Sequence, residues 1–180
     1  MGSGTWTKNL QGLLRVRTYG FAAQGLATVK NTSGSALSTG TGGNSDDLST
    51  TKITALYFRN SSSPSYGYDG LAVVFGSGST EPSTEDVQLQ SPLSSLAYRA
   101  VTNGAYKFET GTGVITRDVK VTVQNTSASQ VKIAEWGILA YCGSNNTLLY
   151  RELLDAPVTL EQFESATLEM TVTLNLTRED

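Results

Sequence analysis

The chain has 180 residues, enough for one domain that buries roughly 70% of the surface its extended form exposes. Thirteen basic against sixteen acidic side chains give a formal net charge of −3, so the diffuse basic field that draws in a phosphate backbone is missing and nucleic acid is not an expected partner. With no histidine and one cysteine, the chain cannot supply a Ser-His-Asp or Cys-His arrangement, a His-ligated zinc site or an intrachain disulfide.

The N-terminal stretch "MGSGTWTKNLQGLLRV" lacks the uninterrupted apolar core of a signal peptide, and no later run approaches the ~20 apolar residues of a membrane span. The expectation is therefore a soluble chain that is not exported, with no membrane partner. Residues 1–50 read as an N-terminal arm followed by a Gly/Ser-rich loop. Trp6, Leu10, Leu13, Leu14, Val16 and Tyr19 give the arm its apolar content and are its candidate attachment or strand-exchange residues. The stretch "NTSGSALSTGTGGNSDDLST", Asn31 to Thr50, holds almost no large apolar side chain and cannot offset its own ordering entropy by burial. A long loop, or a segment ordered only by a neighbour, is expected there.

From residue 51 to 180 the pattern is one of strands. "ITALYFRN" and "GLAVVFG" are apolar on both faces, which places each in mid-sheet or beneath another subunit. Between them "SSSPSYGYDG" presents Tyr66 and Tyr68 on a Pro/Gly/Ser turn, where stiff amphipathic rings make a candidate recognition tip for a sugar or a protein. "VITRDVKVTVQN" alternates with Ile115, Val119, Val121 and Val123 on one face, Arg117 interrupting them and a turn starting at Asn125. "VKIAEWGILAYC" changes apolar parity between Ile133 and Trp136, which predicts a β-bulge near Glu135 and Trp136 and buries Cys142 as a small hydrophobe. A short helical piece is expected at "TLEQFES", Thr159 to Ser165. The final strand puts Leu168, Met170, Val172, Leu174 and Leu176 on one face and polar residues on the other.

Three sites of chemistry can be weighed. "GSGSTE", Gly76 to Glu81, spaces two glycines like a dinucleotide loop, but the third glycine is Glu81, no lysine follows and Pro82 interrupts. Glu81, Glu85 and Asp86 would repel a phosphate, so the segment reads as a turn leading to a following strand around "VQLQ". Those acids, or Asp46 and Asp47, could supply oxygens to calcium, yet no D-x-D-x-D-G register is present and no metal or other cofactor is expected. Glu135 beside Trp136 and Glu152 beside Arg151 are the best pair for carboxylate glycosidase chemistry, with an edge carboxylate and a cross-strand ion pair the simpler reading, and no enzymatic activity is expected.

Two stretches carry a family likeness. One is "LAVVFGSGSTEPSTEDVQLQSPL", an apolar strand followed by a G-x-G-x-T-x-P loop. The other is "EWGILAYCGSNNTLLYRELLDAPVTLEQFESATLEMTVTLNL", with Trp136, Gly137, an Asn-rich turn, Arg151, Pro157 and a Thr-alternating last strand. Together they resemble small β-sandwich virion proteins of tailed bacteriophages and prophages, the kind found on capsids, necks or tails. The resemblance implies an all-β, antiparallel, jelly-roll-like sandwich over residues 51–180 with an extended N-terminal arm. It also implies a non-enzymatic structural protein of the virion that works as a homo-oligomer beside other virion proteins. The alternative is a carbohydrate- or receptor-binding module of the same fold, with a host surface glycan as its partner.

Overall fold

A computed structural model describes residues 4–8, 10, 29–37, 58–59, 71–109, 114–142 and 145–175. Its named elements are all strands: β1 (Thr5–Trp6), β2 (Ala72–Gly76), β3 (Leu96–Glu109), β4 (Val114–Asn125), β5 (Val131–Cys142), β6 (Asn145–Leu160) and β7 (Ser165–Asn175). They form two antiparallel sheets, ordered β1-β6-β5-β2 and β3-β4-β7, packed together as a sandwich. β5 and β6 pair as a hairpin in the first sheet, and the flanking strands β4 and β7 pair with each other in the second. The chain from β4 to β7 is thus one long hairpin folded over so that its apolar stripes meet.

Alternation explains the second sheet. Val119, Val121 and Val123 of β4 and Leu168, Met170 and Val172 of β7 all point between the sheets and are buried there. The opposite face carries Thr122 against Thr167, Lys120 against Glu169 and Asp118 against Thr171 in hydrogen-bonded or ion-paired rows. Arg117, on the inward parity, is also buried. Its Nε donates to the Gly104 carbonyl at 2.9 Å, and its guanidinium lies 4.1 Å over the Tyr106 ring.

The parity change in β5 falls at a register shift, where Ala134 of β5 and Leu154 to Pro157 of β6 stand unpaired between the pairs Ile133↔Val158 and Glu135↔Leu153. It lets Ile133, Trp136 and Ile138 all enter the core. β2 is apolar on both faces for a different reason than expected. Among the described strands it stands last in its sheet, not in the middle, with Leu71 just before it bridged to Phe58 and Gly76 at its end bridged to Pro92. Val73 and Phe75 enter the main core, while Ala72 and Val74 join Leu139 and Leu148 in a second cluster that Leu89 covers from the loop after β2. The chain therefore folds its own cover over this face.

Two further expectations are corrected. "VQLQ" forms no strand, because Val87–Gln90 belongs to the loop that carries Leu89 inward. "TLEQFES" forms no helix: Thr159 and Leu160 end β6, a tight turn follows, and Ser165 opens β7. So short a segment cannot nucleate a helix against competing anchors, and here Asn125 supplies them. Its Nδ2 donates to the carbonyls of Ser129, Leu160 and Glu161, and its own carbonyl accepts from the Phe163 N–H. Phe163 takes a left-handed φ of 61° to make the turn. Of the expected loop from Asn31 to Thr50, residues 31–37 are described and form a turn: Lys30 bridges Ala36, Asn31 Oδ1 accepts from the N–H groups of Ser33 and Ser35, and Val29 and Leu37 reach the core; residues 38–50 lie outside the described residues.

Candidate functional site

Three places on the sandwich hold chemistry. The first is the loop after β2, which is organised around a buried ion pair. Glu135 is 0% exposed. Its Oε1 accepts from the backbone N–H groups of Ser91 (2.8 Å) and Gly78 (3.1 Å), and its Oε2 accepts from Arg151 Nε (2.6 Å) and Gln90 N–H (3.2 Å). All four acceptor positions of the carboxylate are used. Arg151 continues outward, donating to Asp86 Oδ2 and to the Thr80 carbonyl, both at 2.8 Å. Burial works against the Arg151 charge, but Asp86 and Glu135 outweigh it and raise its pKa.

The glycines of "GSGSTE" now have a physical role. A Cβ at Gly76 or Gly78 would run into the Glu135 carboxylate. They leave room for a buried acid where a dinucleotide loop would leave room for a phosphate. Asp86 is engaged by Arg151 and Glu85 by Lys8. Among the described residues no three acidic or cysteine side chains gather as a metal site. Asp46 and Asp47 lie outside the described residues.

The second place is a cleft of about 410 Å³ between β6 and β7. Trp6, Trp136 and Tyr150 line it, with ring centroids of Trp6 and Trp136 at 4.7 and 5.0 Å from that of Tyr150. Glu152, Asp155 and Thr171 complete the wall. Tyr150 donates its hydroxyl to Glu152 Oε2 at 2.7 Å. Burial lifts the Glu152 carboxyl above the ordinary range, and the Asp155 charge adds to this against the hydrogen bonds from Tyr150 and Trp136. Burial and Glu152 in turn push the Tyr150 phenol upward. Glu152 pairs with Trp136 and shares its inward face, whereas Glu135 is one position along β5 and points the other way. The sheet itself stands between the two carboxylates, so they do not flank a common bond.

The third place is one end of the β3–β4 hairpin. Tyr98, Val101, Tyr106 and Phe108 lie opposite Val123, Val121, Arg117 and Ile115 and share their inward face. Toward the middle of the sandwich these side chains are covered, but Tyr106 and Phe108 are 45% and 61% exposed. An inward-facing aromatic pair thus ends in solvent, with half-buried Ile115 and Leu174 beside it.

Of the arm residues singled out by sequence, Trp6 and Leu10 are engaged within the chain. Trp6 sits in β1 on β6, its indole N–H donating to the Thr173 carbonyl of β7 at 2.9 Å, and Leu10 is in the core. Leu13, Leu14, Val16 and Tyr19, and the proposed tip residues Tyr66 and Tyr68, lie outside the described residues. Sequence reading missed the cleft and the aromatic end. The signal for the latter was present in "AYKFE", where aromatics two apart on a strand share one face.

The molecule is an all-β, two-sheet sandwich whose broad polar face is wet and whose other broad face is covered by its own loop. Comparison of the chain with protein-family models, with curated proteins and with solved structures returned no match.

Proposed function

We propose that this chain is a non-enzymatic structural protein of a tailed-phage virion, a building block that assembles with identical copies and decorates or connects parts of the capsid, neck or tail. The observation that carries this reading is the uncovered aromatic end. Tyr106 and Phe108 lie on the face that elsewhere is core, and a Phe at 61% exposure on such a face is surface that a neighbour completes. The folded-over hairpin from β4 to β7 supports the jelly-roll form of the sandwich, which suits a particle component. The resemblance in sequence pattern points the same way.

Light scattering of the purified protein over a range of concentrations tests this. Assemblies larger than one chain are expected, and Phe108→Ser is expected to shrink them while leaving the far-ultraviolet circular dichroism unchanged. A strict monomer at the highest concentration, with Phe108→Ser indistinguishable from it, overturns the reading. Position of the gene between capsid and tail genes is the independent check.

A second reading, a carbohydrate- or receptor-binding module, is favoured by the cleft alone. Its Trp and Tyr rings beside carboxylates and a Thr hydroxyl are groups that recognise a polyol. Glycan-array binding that disappears with Trp6→Ala would select it.

A further inference from the structure

Among the described strands β7 is the outermost of its sheet, paired to β4 over eleven successive positions without a register shift. In an antiparallel strand a residue's N–H and C=O leave on the same side, so alternate residues face alternate neighbours. Asn125 N–H donates to the Glu164 carbonyl at 2.9 Å, which sets the even-numbered residues of this stretch toward β4. The Thr173 carbonyl accepts from the Trp6 indole outside the sheet, which sets the odd-numbered ones outward. Ser165, Thr167, Glu169 and Thr171 therefore direct their backbone donors and acceptors away from the sheet. Among the described residues, no hydrogen bond reaches those outward groups.

Edge strands in soluble proteins are ordinarily blunted by proline, by bulges, by inward charges or by covering segments. The other edge of this sheet shows such treatment: β3 has two register shifts, and Asn103 Oδ1 and Nδ2 bond the backbone of Phe58 at 2.8 Å each. β6 carries Pro157 in an offset of its pairing with β5. β7, "SATLEMTVTLN", has no proline, no glycine and no bulge, and its one charge, Glu169, is already paired with Lys120 at 2.6 Å.

We propose that β7 pairs antiparallel with β7 of a second copy of this chain, about a twofold axis beside Leu168, joining two three-stranded sheets into one. This deepens the assembly reading and rests on it only for the presence of identical copies. The four free residues fix the register. Thr167 faces the partner's Glu169, Ser165 faces the partner's Thr171, and Thr173 stays with Trp6. In this register the inward row continues without a break, Leu168 beside its own copy and Ala166 beside the partner's Met170. The two Glu169 side chains are diagonal to each other and each is neutralised by its own Lys120. A twofold interface requires such self-complementarity, and a single neutralised charge per strand supplies it.

Thr167→Pro is the test. Besides the hydroxyl contact with Thr122, which Thr167→Ala also removes, it takes away only an outward N–H, so the ladder to β4 survives, as proline is tolerated on the free side of an edge strand. Sedimentation equilibrium in a Phe108→Ser background, which removes the end contact and leaves the β7 edge, is expected to show dimers with or without Thr167→Ala, and larger assemblies for the wild type. Adding Thr167→Pro to that background is expected to raise the dimer dissociation constant by at least about tenfold, the scale of a lost backbone hydrogen-bond pair, with circular dichroism unchanged. In a Cys142→Ala background, the Thr167→Cys, Glu169→Cys double variant is expected to form a disulfide-linked dimer on oxidation. Dimers that persist when Thr167→Pro is added to Phe108→Ser, or that vanish in Phe108→Ser alone, overturn the β7 pairing while leaving the assembly reading intact. A wild type that neither dimerises nor cross-links through those cysteines overturns the pairing outright.

Discussion

Replacing Arg151 with Met isolates the ion pair inside the loop after β2. The Arg151 side chain is 3% exposed and that of Glu135 0%, so this pair is out of reach of the solvent that reduces surface pairs to about 0–1 kcal/mol. Met fills much of the same volume but leaves Glu135 as a buried anion held only by the N–H groups of Gly78, Gln90 and Ser91. Breaking a buried pair from one side costs about 3–5 kcal/mol. For a domain of this size each kcal/mol moves the melting temperature by about 2–4 °C, so Arg151→Met should melt roughly 6–20 °C lower. Urea denaturation gives the free energy directly. Amide hydrogen exchange should show Gly78, Gln90 and Ser91 losing protection first, because their acceptor has lost its anchor. Adding Glu135→Gln removes the stranded charge while keeping an oxygen for Gly78 and Ser91, so the double variant should be less destabilised than Arg151→Met alone. A loss under about 1 kcal/mol in Arg151→Met, with loop amides still protected, would refute the argument that this pair organises the loop.

Two other perturbations test polar groups placed differently. Thr147 Oγ1 is buried with no hydrogen-bond partner, a condition that costs about 1–3 kcal/mol, so the isosteric Thr147→Val should stabilise the protein by about 1 kcal/mol in chemical denaturation; a destabilised variant contradicts this. Glu152 has its carboxyl pKa raised in the folded state by burial, so the folded protein holds that proton more tightly than the unfolded chain. Its contribution is fully present below the unfolded carboxylate pKa and is lost as pH rises through the folded value. Glu152→Gln should therefore raise the melting temperature at pH 7, and the gain should fade below about pH 4; a gain equal at both would refute the assignment.

Strand identity was legible in β4 and β7, where one face is wet, but β3 (Leu96–Glu109), which also has a wet face, was not read as a strand. In β4 and β7 the valines, Leu168 and Met170 alternate with Thr, Lys and Glu, and period-two burial has no competing reading. The bulge in β5 was legible because an inward Ile133 and an inward Trp136 cannot both fit an unbroken strand. What was not legible depends on partners far away in sequence. The turn at Glu161–Glu164 is held by Asn125, some 36 positions earlier, against a local pattern that also suits a short helix. The double-faced burial of β2 depends on Leu89, and the role of the Gly76 and Gly78 spacing depends on Glu135. Glu135 inside "KIAEWGIL" and Arg151 inside "LLYRELL" were the available signal, since buried charges require each other.

The distribution of polar groups also constrains how copies of this molecule can meet. The outer face of the β3-β4-β7 sheet is tiled by the pairs Thr122 with Thr167, Lys120 with Glu169 and Asp118 with Thr171. Thr171 and then Lys107 hold the Asp118 carboxyl below the ordinary range. Stacking a second sandwich on this face would dehydrate those groups without supplying new partners. The outer face of the other sheet is closed differently, by Leu89 and the loop pinned to Glu135 and Arg151. Face-to-face contact is therefore disfavoured on one side by polarity and on the other by the chain's own cover. Among the described residues, apolar or unpaired surface is left at Phe163 in the turn before β7, at the aromatic end with Tyr106 and Phe108, and along the edge of β7, the last two lying on different borders of the same sheet. Contacts through an edge and an end add copies sideways and lengthwise, and so extend a layer while its polar face stays wet.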